Sequence, residues 1–262
     1  MKDLEVISLA LTAEYMGIDS ENNLFRQLPI FLSNKIERSV YNRRKRKLSI
    51  QINEIRLKMS QSFNEFEDYF IVDSMSLEIC KISRSMGSKI CKEEQYCYSN
   101  RGFCASQQMS FYGYELHVVC SLNGIFQSID LSLASIHDIH FLKDIKEQLS
   151  DCVLLGDKGY LSSEIQIDLF NYANITLAPP KKKESIKKNY KPQFYLFKKH
   201  RKRIETLFSQ LCDQFMIRRN YAKTFEGFKT RVLAKITALI TVQFINKNYF
   251  NRNINSLKSN II

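Results

Sequence analysis

Tyr69-Phe70-Ile71-Val72-Asp73 is an unbroken apolar run that ends on an acid. Consecutive apolar residues of aromatic and β-branched type describe a strand covered on both faces, as inside a parallel sheet. Cys152-Val153-Leu154-Leu155-Gly156-Asp157 repeats the pattern and again stops on an aspartate. Between them, residues 112–121 and 125–132 are β-rich runs joined through Asn123-Gly124. Both residues of that pair tolerate positive φ, the strongest short signal of a hairpin.

Outward from these runs, residues 75–110 have no clean period and read as an insertion. Ser135-x-x-Asp138 resembles a capping box, followed by Ile139, Leu142, Ile145 and Leu149 at helical spacing. Ser162 or Ser163 caps a further helix running to Tyr172, and residues 175–178 form a last short strand ended by Pro179-Pro180. Two helices follow, 199–217 with Ile204, Leu207, Phe208, Leu211 and Phe215 on one stripe, and 225–250. Helices separate the later strands, so right-handed crossovers make strands one, four and five parallel, with the hairpin as an antiparallel edge. This is the order of an α/β, ribonuclease-H-like mixed sheet with flanking helices.

Upstream, residues 4–36 read as helices broken at 17–22, and residues 49–66 are too mixed to assign to helix or strand. The expected organisation is a small helical N-terminal module over 1–66, a candidate for binding nucleic acid. A catalytic domain follows over 67–250, with a basic linker at 181–198 and a tail at 251–262.

The chain has 262 residues, 44% hydrophobic and 12% aromatic, with 8 Gly and 4 Pro, which excludes disordered and collagen-like classes. Lys and Arg number 39 against 27 acids, for a net charge of +12, which points to a polyanionic partner. The charge has two sources. Residues 31–60 hold nine bases and two acids, including Arg43-Arg44-Lys45-Arg46-Lys47. Residues 181–203 hold eleven bases and one acid, with Tyr190, Phe194, Tyr195 and Phe197 interleaved. Such blocks are solvated faces or phosphate-tracking surfaces, and interleaved aromatics favour the second. The expected DNA contacts are Arg43, Arg44, Lys45, Arg46, Lys47, Lys181, Lys182, Lys183, Lys187, Lys188, Lys198, Lys199, Arg201, Arg203, Arg218 and Arg219. No run of about 18 uncharged apolar residues and no signal-peptide order is present, so no membrane is expected. Seven cysteines without a Cys-x-x-Cys fit a reducing cytoplasm.

In an open α/β sheet, ligands gather beyond the carboxyl ends of the parallel strands. Asp73 and Asp157 both sit at that edge if their strands are neighbours about 4.8 Å apart. Carboxylates so close repel unless a cation neutralises them, and Mg²⁺ or Mn²⁺ prefers oxygen ligands and water. Glu205 is the best third acid, about 100° from the centre of its helix's apolar stripe at 100° per residue. Arg201 and Arg219 fall about 40° from it on the same flank. Taken singly, each Asp is an ordinary strand-ending turn residue, Glu205 with Arg201 an ordinary i,i+4 pair, and His137 with His140 plain helix-start residues. Glycine-rich nucleotide cradles and a Ser-centred elbow are absent.

Tyr69-Phe70-Ile71-Val72-Asp73-Ser74-Met75, Leu154-Leu155-Gly156-Asp157-Lys158-Gly159-Tyr160 and Arg203-Ile204-Glu205-Thr206-Leu207-Phe208 together resemble the three signature blocks of bacterial insertion-sequence transposases of the DDE class. Ser135-x-His137-Asp138 resembles another recurring segment of that family, and the similarity covers roughly residues 68–245. The resemblance implies that Asp73, Asp157 and Glu205 are catalytic and hold two Mg²⁺ or Mn²⁺ ions. It also implies that the substrates are terminal inverted repeats and target double-stranded DNA, and that a homodimer forms on paired ends near the bacterial nucleoid. Some relatives carry a Lys seven residues after the Glu, where Cys212 stands here, so Arg218 or Arg219 would supply that charge. The alternatives are a metal-dependent nuclease on the same fold and a catalytically silent DNA-binding derivative.

Overall fold

The computed structural model describes residues 1–63, 68–105, 107–160, 162–178 and 194–258. In chain order, helices α1 (Asp3–Tyr15), α2 (Glu21–Gln27), α3 (Ile30–Ser33), α4 (Arg38–Lys47) and α5 (Ser49–Gln61) precede strand β1 (Tyr69–Glu78). Strands β2 (Asn100–Cys104), β3 (Met109–Ser121) and β4 (Phe126–Leu133) follow, then α6 (Leu142–Ile145), β5 (Val153–Leu155), α7 (Ser163–Ala173), β6 (Thr176–Leu177), α8 (Phe194–Asp213) and α9 (Phe225–Asn248). Among the described residues, no helix is long and apolar enough to cross a membrane.

The chain divides into two compact units. Met1–Ser62, Arg84–Ser99 and Ser209–Ile262 form one; Phe63–Ser83 and Asn100–Phe208 form the other. The first is helical. Helix α9 is its axis, with buried residues on every side from Phe228 to Asn246, and α1, α4 and α5 pack against it. A helix with no polar face belongs inside a bundle. The mixed 49–66 stretch resolves as helix over Ser49–Gln61, because tertiary packing on α9 overrides its β-branched residues. The basic run 43–47 is the last part of α4.

The second unit is built on a six-stranded mixed sheet of order β2-β3-β1-β5-β6, with β4 also paired to β3. Strands β1, β5 and β6 run parallel, and β3 is antiparallel to β1, β2 and β4. This is the expected mixed sheet, a ribonuclease-H-like arrangement. Phe70, Val72, Val119 and Leu154 on one face pack with Leu142, Ile145, Ile165 and Leu169 of α6 and α7. Ser162 caps α7, its Oγ accepting from the Ile165 amide at 3.4 Å. In the hairpin only Gly124 takes positive φ, at +89°. A side chain there would collide with Arg203 and Leu207 of α8, so the turn and that helix close on one another.

Several local expectations are corrected. Strand β1 does not stop at Asp73 but continues to Glu78, because its antiparallel ladder with β3 outlasts its parallel one with β5. The 75–110 stretch is not one irregular insertion, since it contains the end of β1, two 3-10 turns, β2 and the start of β3. The Ser135 capping box does not form: His137 accepts from the Ile139 amide through Nδ1, and a 3-10 turn at Asp138–Phe141 precedes the short α6. Helix α8 ends at Asp213 rather than 217, so Arg219 does not share a flank with Glu205.

Candidate active site

The parallel register of β1 and β5 runs Tyr69↔Val153, Phe70↔Leu154, Ile71↔Leu155. Asp73 and Asp157 each lie two residues past the last pair of that parallel ladder, Asp73 inside β1 and Asp157 just after β5. The Asp73 carboxylate accepts from the Ser74 amide at 2.9 Å, and the Asp157 carboxylate from the Gly159 amide at 2.7 Å. Burial pushes the Asp73 carboxyl up to about 6; Asp157 and Asp138 add to the rise, while Arg201 and the Ser74 amide oppose it.

Glu205 stands exposed on α8 and accepts from Arg201 Nε at 3.0 Å. The guanidinium of Arg201 thus pairs with Glu205 while acting electrostatically on Asp73. Among the described residues, no group of three or more His, Cys, Asp or Glu side chains is gathered as an ion cage. The geometry brings Asp73 and Asp157 together and leaves Glu205 turned to Arg201.

Further acids lie beside this pair. Ser74 Oγ is 3.2 Å from Asp138 Oδ2 and 3.3 Å from Glu115 Oε1. Burial raises Glu115 to about 7, with Asp138 adding to the rise, and burial likewise raises Asp138, with Asp157 adding. His117 is pushed down to about 4 by burial and is neutral at pH 7. Glu115 carried no motif, and only the β-strand alternation that puts residues 115 and 117 on one face of β3 could have flagged it.

The expected DNA-contact residues divide. Arg43, Arg46 and Lys47 on α4 are exposed. Lys45 is buried and bonds Glu21 at 3.0 Å, and Arg44 bonds Asp3 at 2.5 Å, so both serve the helical unit's own structure. Arg218 is exposed, and Arg219 lies 3.9 Å from Asp19. Arg203 lays its aliphatic stem against the turn at Gly124. Lys181, Lys182, Lys183, Lys187 and Lys188 lie outside the described residues, as do the side chains of Lys198 and Lys199.

A mixed sheet of this order, with an acid two residues past the paired stretch of each of two adjacent parallel strands, defines the ribonuclease-H-like class. Within that class the family described as transposase DDE domain matches residues 64–241, and the chain belongs to that family. It is a family of enzymes that act on DNA and generally use divalent metal ions. Comparison with curated proteins and with solved structures gave no match.

Proposed function

We propose that this protein cuts DNA at the ends of an insertion sequence and joins those ends to target DNA by phosphoryl transfer, using two Mg²⁺ or Mn²⁺ ions held by Asp73, Asp157 and Glu205. The observation that carries the reading is the equal offset of Asp73 and Asp157 past the paired ends of β1 and β5. Their donor chemistry fits: hard oxygen ligands, one of them largely removed from water, that repel each other without a cation. Glu205 reaches the site through Arg201, whose charge already acts on Asp73.

Divalent ions held by Asp73, Asp157 and Glu205 would supply Lewis-acid chemistry, the acidification of a water or a 3′-hydroxyl and the stabilisation of a leaving oxygen. The chain's own groups act by position. Asp73 and Asp157 are each anchored through Oδ1 by a backbone amide, of Ser74 and of Gly159. Arg201 supplies a fixed guanidinium able to meet a phosphate in a two-pronged contact. The exposed Arg43, Arg46 and Lys47, with the 181–203 block, supply sequence-independent backbone affinity for double-stranded DNA, terminal repeats and target alike. The working form is a homodimer on paired ends.

The test is a strand-transfer assay with DNA taken from either side of the reading frame, in Mg²⁺. Cleaved ends and joined products are expected. Cutting without joining would make the protein a nuclease of the same fold, and DNA binding without either would make it a silent derivative.

A further inference from the structure

The face of β1 opposite Asp73 carries polar groups that the triad does not use. Ser74 pairs with His117 in the β1–β3 register, and Glu115 lies two residues along β3 on the same face. The Ser74 hydroxyl stands between Asp138 and Glu115, and its single hydrogen serves one of them at a time. Asp138 comes close to Asp157 as well. A methyl group built on Gly159 would lie 3.0 Å from Asp157 Oδ1 and 4.0 Å from Asp138 Oδ2.

Two buried polar atoms flanking Asp138 have no well-formed hydrogen bond among the described residues. Tyr160 is 1% exposed, and its Oη, with the Ser74 hydroxyl as a polar neighbour, makes no well-formed hydrogen bond. That phenol lies beside Ser74 and within the fields of Asp138, Asp73 and Asp157, which, after burial, raise it well above its ordinary value. His117 is also 1% exposed. Its Nε2 meets Ser132 Oγ at 2.7 Å, while Nδ1 makes no hydrogen bond and stands 3.9 Å from Asp138 Oδ1. A buried polar group left unpaired costs stability. A turn-starting aspartate tethered by Ser74 accounts for the place of Asp138 but for neither orphaned group. A carboxylate drawn onto a cation accounts for both, because buried donors commonly orient the acids that hold a metal.

We propose that Asp138 is a fourth carboxylate ligand of the divalent-ion site, with Tyr160 and His117 as the positioning residues that hold it there. The proposal rests on the metal-dependent reading above. It assigns the Ser135-x-His137-Asp138 segment a task at the reacting centre, and it explains why a phenol is buried among acids.

The experiment is Mn²⁺ binding to the full chain, read by loss of the free-ion paramagnetic resonance signal, alongside the metal-free melting temperature. Wild type is compared with Asp157→Asn, Asp138→Asn and Tyr160→Phe. Asp157→Asn and Asp138→Asn are each expected to lower Mn²⁺ affinity at least about tenfold. Tyr160→Phe removes an unpaired hydroxyl, so its metal-free melting temperature should hold or rise while its Mn²⁺ affinity falls about tenfold. Loss of affinity in Asp157→Asn with wild-type affinity in Asp138→Asn and Tyr160→Phe overturns this proposal alone. Absence of Mn²⁺ binding in wild type, or wild-type affinity in Asp157→Asn, overturns the metal reading and this proposal with it. If Asp138→Asn does not fold, Tyr160→Phe decides: a purely packing role leaves its Mn²⁺ affinity unchanged.

Discussion

Lys235 in the helical unit and Asp73 in the sheet unit are both charged groups largely taken out of water, and they are matched in opposite ways. Lys235 Nζ meets Glu14 Oε2 at 2.5 Å and the Phe215 carbonyl at 2.6 Å, with Asp19 Oδ1 at 3.6 Å, so the buried cation faces two carboxylates and a carbonyl. Asp73 has Asp157 and Asp138 acting against its charge, with Arg201 as the opposing cation among the described residues. The first cluster is matched in charge, since Arg231 and Arg219 also stand 3.9 Å from Asp19. The second carries surplus negative charge at the end of a sheet, where a divalent ion is the natural complement. In the same unit Lys45 and Arg44 are paired with Glu21 and Asp3, while Arg43, Arg46 and Lys47 are exposed.

The largest test of this contrast opens the matched cluster. Lys235→Met leaves Glu14 buried without its cation and should cost about 3–5 kcal/mol in denaturant melts. Asp73→Asn, which removes a charge from the open cluster, should leave the metal-free protein as stable as wild type or more so. Equal destabilisation by both would erase the distinction.

The next test uses pH. In the metal-free protein, Asp73 and Glu115 titrate near 6 and 7, above their unfolded values, so the native state holds extra protons in the acid-to-neutral range. Their contribution is fully present below the unfolded carboxyl range and is lost as pH rises through those two values. His117, pushed down to about 4, acts the other way: its burial costs stability as pH falls from its unfolded range toward 4. Wild-type stability minus that of Glu115→Gln should therefore fall by about 1.4 kcal/mol per pH unit between roughly pH 4.5 and 7. A flat difference would mean that neither burial nor the neighbouring acids raise the Glu115 carboxyl.

Much of this is legible in the sequence. The runs ending at Asp73 and Asp157, the Asn123-Gly124 turn and the Ser162 cap are local signals, and each points to the right element because propensity, burial and chain order agree there. What escapes a reading of the sequence depends on pairing at a distance. Where β1 stops is decided by β3, not by Asp73. The Glu115 and Tyr160 surroundings follow from a register that only the folded sheet defines. Helix α8 ends at Asp213, though an apolar residue still recurs at Phe215.

Smaller effects probe the surface. Replacing Arg43, Arg46 and Lys47 by Gln together should leave melting unchanged and flatten the salt dependence of DNA binding, by about 0.9 in log–log slope for each phosphate no longer neutralised. Arg201→Gln should cost at most about 0.5 kcal/mol in stability, since its pair with Glu205 is exposed.

The central claim is that Asp73 and Asp157 act as one metal-holding pair, and the most direct measurement is DNA binding and strand cleavage on the same samples of wild type, Asp73→Asn and Asp157→Asn in Mg²⁺. The account predicts that both variants bind DNA like wild type and cleave none. Wild-type cleavage by either variant would contradict it.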